Sequence, residues 1–454
     1  MHAGYRPASP SAKRSSHRPL GEKLIIEAGK EFIWTARVKR GPKKEGYMST
    51  RKSSVFGCFV VVILFSFVLC LNARAQSPKE PIKIGMDIEM TGVMSETTMN
   101  AKQGYDLYLE EVGYKVAGRP IKMIEYDNKT DPKLSVEVAQ KLVEKDKVHM
   151  IGFGTNSAAA IAVRGYTDKA KVPMVVVAMA GTERVTLPPS KYAFRITYAD
   201  GQMELPLGKY AYEKLGYKKM ALMAPDYAGG TGKIWAFQQG YEKAGGKIVQ
   251  TILWPLGTMD LAPYFARLQP DVEAIFVFEP GDVSIQRFIG QYFELGLDKK
   301  IKLCTHWTFT EDYFTLQTFK DKMIGIVSGA HYVPSYDTLE NKRLTERYYA
   351  KYGKKKMMNS DVAIGYESMK FIVAALQAIK GNAEDTEAFL KAMHATKIKG
   401  VESTSLSIDA NGNVIRDFFI RQVQKKDGVV KNVVLDVIPQ AQQPPEGYTV
   451  MPGK

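Results

Sequence analysis

Residues 147–177 restrict the fold more than any other stretch, because their pattern predicts a strand, a turn, a helix and a second strand in succession. Residues 148–151 and 172–177 are mostly apolar and contain β-branched side chains, as buried parallel strands do. Residues 158–170 between them have the small and apolar spacing of a packed helix. A strand, a helix and a parallel strand form the unit from which α/β proteins are built.

The turn at residues 152–157 joins the carboxyl end of a strand to the amino end of a helix. Unpaired backbone N–H groups and the helix dipole favour an anion at such a place, and open α/β sheets usually bind their ligands there. The alternative is a helix cap, in which Asn156 or Ser157 accepts hydrogen bonds from its own backbone. The residues alone leave both interpretations open.

Strands and helices alternate in two successive series along the chain. The first series runs from a strand at residues 82–88 to the strand at 172–177, and an extended segment at 192–197 follows it. The second series runs from a helix at 203–215, through a helix at 261–268, to a strand at 301–305. Later in the chain the pattern predicts two amphipathic helices and a hairpin-like turn, at 339–352, 362–379 and 410–413 respectively. Two α/β units of similar size predict two similar lobes, each built on a parallel sheet covered by helices.

The net charge of +15 arises mainly from residues 1–75. That stretch contains 14 Lys or Arg and 4 Asp or Glu, which leaves 49 and 44 in the rest of the chain and a net charge of only +5 there. A nucleic-acid-binding face is therefore not indicated. Cys58 and Cys70 also precede residue 76, so Cys304 is the one cysteine of the remainder, which excludes a disulfide or a cysteine-based metal cluster within it.

A basic pair, an apolar run and a small-residue site follow one another near residue 50. The apolar run covers 17 residues, 55–71, and an Ala-Arg-Ala sequence ends at Ala75. This order is typical of a secretory signal peptide and predicts cleavage after Ala75; the alternative is an uncleaved anchor, although the run is short for a membrane span. Since signal peptides seldom begin so far into a chain, we expect translation to start at Met48, with a signal peptide at 48–75 and residues 1–47 a gene-model extension.

No motif of enzymatic chemistry is complete in this sequence. A glycine-rich stretch resembles a phosphate-binding loop, but Tyr227 and Ile234 stand where the motif needs Gly and Ser or Thr. A dinucleotide fingerprint after the third strand has Ser157 in place of its third glycine. His306 and His331 lack metal spacing, and each is expected to be an ordinary buried or surface histidine. The sequence thus predicts no catalytic residue, no metal site and no cofactor.

Short motifs follow one another in a characteristic order: Ile-Lys-Ile-Gly at 82–85 with Met-Thr-Gly at 90–92, Tyr-Asp-Asn at 126–128 with Asp-Pro at 131–132, the stretch 148–157, Asp-Tyr-Ala-Gly at 226–229 and Asn-Gly-Asn at 411–413. Their order and spacing resemble the leucine/isoleucine/valine-type periplasmic binding proteins of ABC importers. The resemblance extends over residues 82 to about 437. It implies a type I periplasmic binding fold, in which two Rossmann-like lobes with parallel sheets are joined by a three-segment hinge and close over a small ligand.

The resemblance also implies where the lobes begin and end. Crossings between them are expected near residues 196–201, 328–333 and 400–415. The expected division is an N-terminal lobe of residues 82–198 with 332–400, a C-terminal lobe of residues 199–331 with 401–440, and an irregular surface tail at 441–454.

The family's ligand-binding positions lie on the loops between the lobes, and several match residues of this chain. In the amino-acid binders, groups at the end of the third strand receive the ligand's α-carboxylate. The matching positions are Ser95 or Thr97 in the first loop, Asn156 and Ser157 after the third strand, Ala178, Ala180 and Thr182 after the fourth strand, Tyr227 in the second lobe, and Tyr332 near a crossing.

The loop after Leu303 departs from the amino-acid binders, which tend to place there an acid that pairs with the ligand's ammonium. This chain has Thr-His-Trp at 305–307, and its nearest acid is Glu311. An ammonium held away from water without an anionic partner costs several kcal/mol, against about 8 kcal/mol for a whole micromolar complex. Trp307 offers an apolar wall or a cation–π face instead, or it is an aromatic of the lobe surface near the hinge. This departure favours an aromatic or aliphatic carboxylate over a branched-chain or other amino acid.

We therefore expect a non-enzymatic periplasmic solute-binding protein that captures a small carboxylate-bearing ligand and delivers it to the membrane permease of an ABC importer. In this hypothesis the anion docks on the turn at Asn156 and Ser157, while Tyr227 and Trp307 close from the other lobe. The alternatives are a ligand-sensing domain of the same fold that acts in regulation, and a secreted hydrolase. A monomer without a nucleic-acid partner is expected.

Overall fold

The computed structural model describes residues 80–355 and 357–450. The predicted signal peptide at 48–75, its cleavage site and the extension at 1–47 lie outside the described residues. Within them, no helix combines the length and the apolar character needed to cross a membrane. The predicted α/β class is confirmed, because the described chain forms two sheets that are mainly parallel, with helices in the connections between their strands.

The first sheet consists of β1 Ile82–Ile88, β2 Lys115–Val116, β3 Arg119–Asp127, β4 Met150–Phe153, β5 Met174–Val176 and β6 Ala193–Arg195. Its strands lie in the order β2-β3-β1-β4-β5-β6, and all neighbours are parallel except β2 and β3. The loops that follow β1, β3 and β4 therefore leave the sheet side by side. The short strand β2 has no counterpart in the sequence pattern, because two residues are too few to show alternation.

The second sheet consists of β7 Lys219–Pro225, β8 Lys247–Trp254, β9 Ala274–Val277, β10 Lys302–His306, β11 Val327–Ala330, β12 Ser407–Ile408, β13 Val414–Lys426 and β14 Val429–Ala441. The order is β12-β13-β11-β10-β9-β7-β8, and β14 pairs with β13. Strands β7 to β11 are parallel, whereas β12, β13 and β14 are joined by antiparallel pairing. The hairpin-like turn predicted at 410–413 is confirmed between β12 and β13.

The helices, in chain order, are α1 Ser95–Glu111, α2 Pro132–Gln140, α3 Ser157–Ala170, α4 Glu204–Glu213, α5 Ala228–Lys243, α6 Ala262–Phe265, α7 Asp282–Glu294, α8 Gln317–Phe319, α9 Leu339–Tyr352, α10 Ser360–Ala378 and α11 Thr386–Ala395. Single 3-10 or π turns lie at Lys141–Lys145, Glu183–Val185, Leu297–Lys299, Trp307–Thr310, Asp312–Leu316 and Lys320–Met323. Although α10 and α11 come late in the chain, they return to the first sheet: Phe371 and Phe389 share a buried core with Ile82 and Ile84 of β1.

The segment before β13 touches both sheets. The backbone N–H of Arg195 at the end of β6 donates to the carbonyl of Gly412 at 2.9 Å, and its side chain donates to Oδ1 of Asn413 at 2.7 Å. Leu406 and Ile408 are buried in the core of the first sheet, while β12 itself pairs with β13 of the second. We call the part of the fold built on the first sheet the first half and the part built on the second sheet the second half. This segment contacts both halves.

The tail after β14 is irregular in conformation but bonded to the rest of the protein. The N–H groups of Gly447 and Thr449 donate to the carboxylate of Glu183, which lies in the loop after β5 of the first sheet. The side chain of Gln239 on α5, beside the second sheet, donates to the carbonyl of Gly447 at 3.1 Å. Residues 442–450 therefore form a bridge between the two halves.

Candidate functional site

The amides of the turn between β4 and α3 bond to other groups of the protein. The side chain of Asn156 accepts hydrogen bonds from the N–H groups of Ala158 and Ala159 at 2.9 and 3.3 Å and so caps α3. The N–H groups of Thr155 and Asn156 donate to the carboxylate of Glu89 at 2.8 and 3.0 Å. Asn156 therefore caps the helix, as in the alternative interpretation of the sequence. The carboxylate of Glu89 lies where the sequence analysis placed the carboxylate of the ligand.

The loops after β4 and β5 lie against each other. The hydroxyl oxygen of Ser157 accepts a hydrogen bond from the N–H of Thr182 at 3.4 Å. The carbonyls of Ala180 and Thr182 both accept from the buried guanidinium of Arg195, at 3.3 and 2.6 Å, and Ala178 is buried in the same loop. Four of the predicted site residues are therefore neighbours, and the hydrogen bonds of Ser157, Ala180 and Thr182 join them to other groups of the protein.

The first loop reaches the turn through Thr98. The hydroxyl of Thr98 donates to Glu89 at 2.7 Å and lies 2.8 Å from the hydroxyl of Thr155. Ser95 begins α1 and is partly buried, and Thr97 is buried. The structure thus places the two predicted residues one turn or less from Thr98, which the sequence did not single out.

A cluster of large apolar side chains lies between the two sheets; we call it the cleft cluster. Its buried members are Met179, Tyr198, Met203, Phe278, Trp307, Ala330, Ile364 and Phe418, and Tyr227 packs against them. Met179 follows β5 of the first sheet, whereas Phe278 and Trp307 follow β9 and β10 of the second. The structure therefore brings Tyr227 and Trp307 together, next to residues of the first half, and it leaves Trp307 only 1% exposed.

Two histidines line the cleft cluster. The rings of His306 and His331 lie 5.8 and 5.9 Å from that of Tyr198, and the His331 ring meets Trp307 edge-on at 4.9 Å. Burial lowers the pKa of both histidines well below the usual range, and nearby cationic groups lower it further, so both are uncharged at neutral pH. Nε2 of His306 and Nε1 of Trp307 are buried and have no hydrogen-bond partner among the described residues.

Carboxyl groups from both halves influence the ionisation of Tyr227. Burial raises the pKa of its hydroxyl, and Asp200, Glu279 and Glu89 raise it further. Asp200 forms a buried ion pair with Lys233 at 2.7 Å. Glu279 accepts from the indole N–H of Trp254 at 2.9 Å, and burial raises the pKa of its carboxyl to about 8. Each of these acids is therefore ion-paired, bonded to amides or protonated at neutral pH.

Tyr332 lies in a different cluster from Tyr227 and Trp307. Its hydroxyl donates to Oδ1 of Asn341 at 2.7 Å, and its ring packs with Leu344 and Tyr348 of α9. The neighbouring residue, His331, occupies the position beside the cleft cluster instead. Tyr332 and His331 therefore face different clusters, because successive residues of an extended segment point to opposite sides.

The loops at the edge of the cleft are in contact. Gly281, with a φ of +82°, faces the carbonyl oxygen of Val93, and a Cβ atom at Gly281 would lie 2.4 Å from that oxygen. Val93 belongs to the loop after β1 and Gly281 to the loop after β9. The two halves are thus in contact at this edge, an arrangement that we call closed. The described residues contain no group of three or more His, Cys, Asp or Glu placed to hold a metal ion.

Glu89 and Glu279 were not among the predicted site residues, although the sequence contains a signal for both. Glu89 directly follows β1, and Glu279 lies two residues after β9. Polar residues at the carboxyl ends of parallel strands meet at one edge of a sheet, where ligands bind. The same rule identified the turn after β4, so it could have identified these two acids.

A family model described as periplasmic binding protein matches residues 81–428. The chain belongs to the periplasmic binding protein family. A Leu/Ile/Val-binding protein homolog 6 of Brucella suis biovar 1 (strain 1330) is 28% identical over 363 residues, which cover 78% of this chain and 90% of that protein. The predicted membership of the Leu/Ile/Val type among periplasmic binding proteins is confirmed.

Solved structures agree with this periplasmic binding protein over most of its length. An ABC transporter substrate-binding protein from Sphaerobacter thermophilus has 32% identity and a TM-score of 0.74, and the match covers 80% of this chain and 99% of that one. A solute-binding protein of an ABC transporter from Rhodopseudomonas palustris BisB5, in complex with 3,4-dihydroxybenzoic acid, has 30% identity and a TM-score of 0.74 over the same shares. The predicted type I fold is confirmed by these matches.

Proposed function

We propose that this solute-binding protein captures an aromatic carboxylate, of the hydroxybenzoate type, and presents it to the permease of an ABC importer. The observation that supports this most directly is the cleft cluster. It offers aromatic faces from both halves together with the buried N–H of Trp307, which has no hydrogen-bond partner in the part of the chain that the structure describes. Ligand sites are typically apolar with a few such polar groups, and an aromatic ring with a carboxylate fits that combination.

The acids that the second half places around the cleft argue against an α-amino acid. An ammonium needs an uncompensated anion nearby, yet Glu311, the acid nearest to Trp307 in sequence, pairs with Arg421 at 3.1 Å and accepts from the hydroxyl of Ser360 at 2.7 Å. Glu279 is protonated at neutral pH and Asp200 pairs with Lys233. The ligand of the Rhodopseudomonas palustris relative, 3,4-dihydroxybenzoic acid, has no ammonium and supports the same choice.

A branched-chain amino acid is the second candidate ligand. The name of the Brucella relative, which matches over 363 residues, favours it. Calorimetry on the exported protein distinguishes the two candidates, using 3,4-dihydroxybenzoate, 4-hydroxybenzoate and benzoate against leucine, isoleucine and valine. We expect micromolar or tighter binding of a benzoate, about −8 kcal/mol, and no binding of the amino acids. Binding of leucine without any benzoate would reject the aromatic ligand.

We also infer the finer features that the sequence predicted. The ligand contacts are proposed to come from Tyr227 and Trp307, with Ser95, Thr97 and the loop of Ala178, Ala180 and Thr182 forming the opposite wall. The signal peptide is proposed to be cleaved after Ala75, and the protein to act as a monomer with the lobe boundaries given above. Amino-terminal sequencing of the exported protein should begin at Gln76, and sedimentation should give the mass of one chain.

A further inference from the structure

The carboxylate of Glu89 is held in the turn by donors from three segments of the first half. Its Oε2 accepts from the N–H of Thr155 at 2.8 Å and from the hydroxyl of Thr98 at 2.7 Å. Its Oε1 accepts from the N–H of Asn156 at 3.0 Å, and the side-chain amide of Asn128 lies 3.5 Å away. Glu89 is 0% exposed. The carboxylate is therefore bound as an external anion would be at a helix N-terminus.

The backbone of the turn leaves room for this carboxylate. An ideal Cβ atom placed on Gly154 would lie 2.1 Å from Oε2 of Glu89, well inside van der Waals contact. Any residue other than glycine at position 154 would therefore displace the carboxylate. The close approach of Gly154 and the two amide donors show that the turn accommodates a carboxylate at this place.

We propose that Glu89 is a specificity-determining residue, whose own carboxylate occupies the anion site of the β4–α3 turn and prevents a ligand's carboxylate from docking there. This inference rests on the proposed function, because it concerns which ligands enter the same cleft. A second carboxylate cannot share the two amides, and two like charges at that distance repel strongly. The ligand's carboxylate is then bound elsewhere, beside the unpaired donor Nε1 of Trp307.

Glu89 borders the cleft and not only the interior of the first half. Helix α3, which follows this turn, contacts α5 of the second half, and Tyr227 directly precedes α5. A ligand that lies against Tyr227 therefore also lies near Glu89. For such a ligand, the carboxylate of Glu89 disfavours a second carboxylate at this turn.

The test uses Glu89→Ala, which vacates the amides, and Glu89→Asp, whose shorter side chain does not reach both of them. The control is Glu279→Ala, which removes a buried carboxyl that accepts from the indole N–H of Trp254 and lies outside the β4–α3 turn. Thermal midpoints are measured with increasing sodium formate, a free carboxylate small enough for the vacated space. Affinities for leucine and for 3,4-dihydroxybenzoate are measured by calorimetry.

We expect formate to raise the thermal midpoint of Glu89→Ala but not that of the wild type or of Glu279→Ala. The ratio of leucine affinity to 3,4-dihydroxybenzoate affinity should rise by about tenfold or more in Glu89→Ala, with Glu89→Asp between it and the wild type. If Glu89→Ala does not fold, Glu89→Asp decides by the same two readouts. A Glu89 variant that behaves as the wild type in both readouts overturns the proposal.

The formate experiment separates this proposal from the proposed function. Formate stabilisation of the variant requires only an accessible pair of amides, so it is informative even if no benzoate binds the wild type. Failure of every benzoate to bind, with formate stabilisation of Glu89→Ala intact, would reject the aromatic ligand and keep the anion site. Binding of benzoates without any formate effect and without a change of selectivity would reject the role of Glu89 alone.

Discussion

At the scale of single residues, Glu279 shows how the interior of the cleft controls charge. Its carboxyl is 0% exposed, and one oxygen accepts from Trp254 while Oε1 has no partner among the described residues. Burial without a cationic partner raises its pKa to about 8. In the unfolded chain the same carboxyl releases its proton near pH 4.3. The folded protein therefore binds a proton that the unfolded chain loses between these two values.

This difference gives a pH-dependent stability of known sign. Because the folded state binds the extra proton, the contribution of Glu279 to stability is present below about pH 4 and falls as the pH rises towards 8. Glu279→Gln keeps an acceptor for Trp254 but does not titrate. We expect the variant to gain about 2–4 kcal/mol relative to the wild type between pH 5 and pH 8, measured by urea unfolding. The same pH dependence of stability in Glu279→Gln and in the wild type would contradict this role of Glu279.

Substitutions at Tyr227 test whether the second half contributes a contact to the ligand site. If its ring closes on the ligand, Tyr227→Ala should weaken binding by roughly 1–3 kcal/mol, the scale of a lost buried aromatic contact. Tyr227→Phe keeps the ring, so it should retain most of the affinity in the same calorimetric titration. Tyr332→Phe is the matched comparison, because that hydroxyl bonds to Asn341 outside the cleft cluster. Unchanged affinity in Tyr227→Ala would remove Tyr227 from the site.

The sequence could show the residue types at the site but not how they pair. The cap by Asn156 joins groups two and three residues apart, so the local sequence is enough to indicate it. The bond between Glu89 and Thr155 joins residues 66 positions apart, and no periodicity shows such a pairing. The approach of His331 to Trp307 likewise depends on how β10 and β11 align in the sheet.

At the scale of elements, helices α1 and α10 pack so closely that glycines are needed at the contact. An ideal Cβ on Gly104 would lie 2.0 Å from the carbonyl oxygen of Val362, and one on Gly365 would lie 1.9 Å from that of Ala101. Both obstacles are backbone atoms, which cannot turn away as a flexible side chain can. The two glycines therefore fix the distance between these helices, which come from opposite ends of the first half's sequence.

Two glycine substitutions of opposite sign follow from this packing. Gly365→Ala should destabilise the protein by about 1–3 kcal/mol, because the added methyl group forces α1 and α10 apart. Gly165→Ala, on the exposed side of α3 with nothing within 4 Å of the new Cβ, should stabilise it by about 0.5–1 kcal/mol through the lower entropy of the unfolded chain. Thermal and urea unfolding measure the change in the free energy of unfolding for each variant. If both changes have the same sign, the packing argument is wrong.

The regular elements were predictable where their patterns were long. The helix predicted at 339–352 has those bounds in the structure, and α10 differs by two residues at its start and one at its end. The helix predicted at 261–268 is reduced to Ala262–Phe265, because a single turn of apolar residues shows the same spacing as a longer helix. That α10 and α11 return to the first sheet was accessible only through the family resemblance, because local patterns contain no information on such long-range packing.

At the scale of the whole molecule, the bridge formed by residues 442–450 contacts both halves while their loops meet at Val93 and Gly281. A segment that bonds to both halves stabilises the arrangement in which its bonds to the first half and to the second half form at the same time. A ligand that binds between two lobes binds the closed form. Its apparent affinity therefore increases with the fraction of molecules that are closed before binding. The bridge should therefore contribute to affinity without touching the ligand.

A chain that ends at Ala441 tests this contribution. Loss of the bonds to Glu183 and Gln239 should cost the closed arrangement about 1 kcal/mol, which corresponds to about a fivefold weaker apparent affinity. Small-angle scattering without ligand should show a larger radius of gyration than the full chain, and saturating ligand should reduce the difference. Glu183→Ala should reproduce part of the effect in the intact chain, because it removes the acceptor of two backbone N–H groups of the bridge. Equal affinities for the full and shortened chains would show that residues 442–450 do not influence closure.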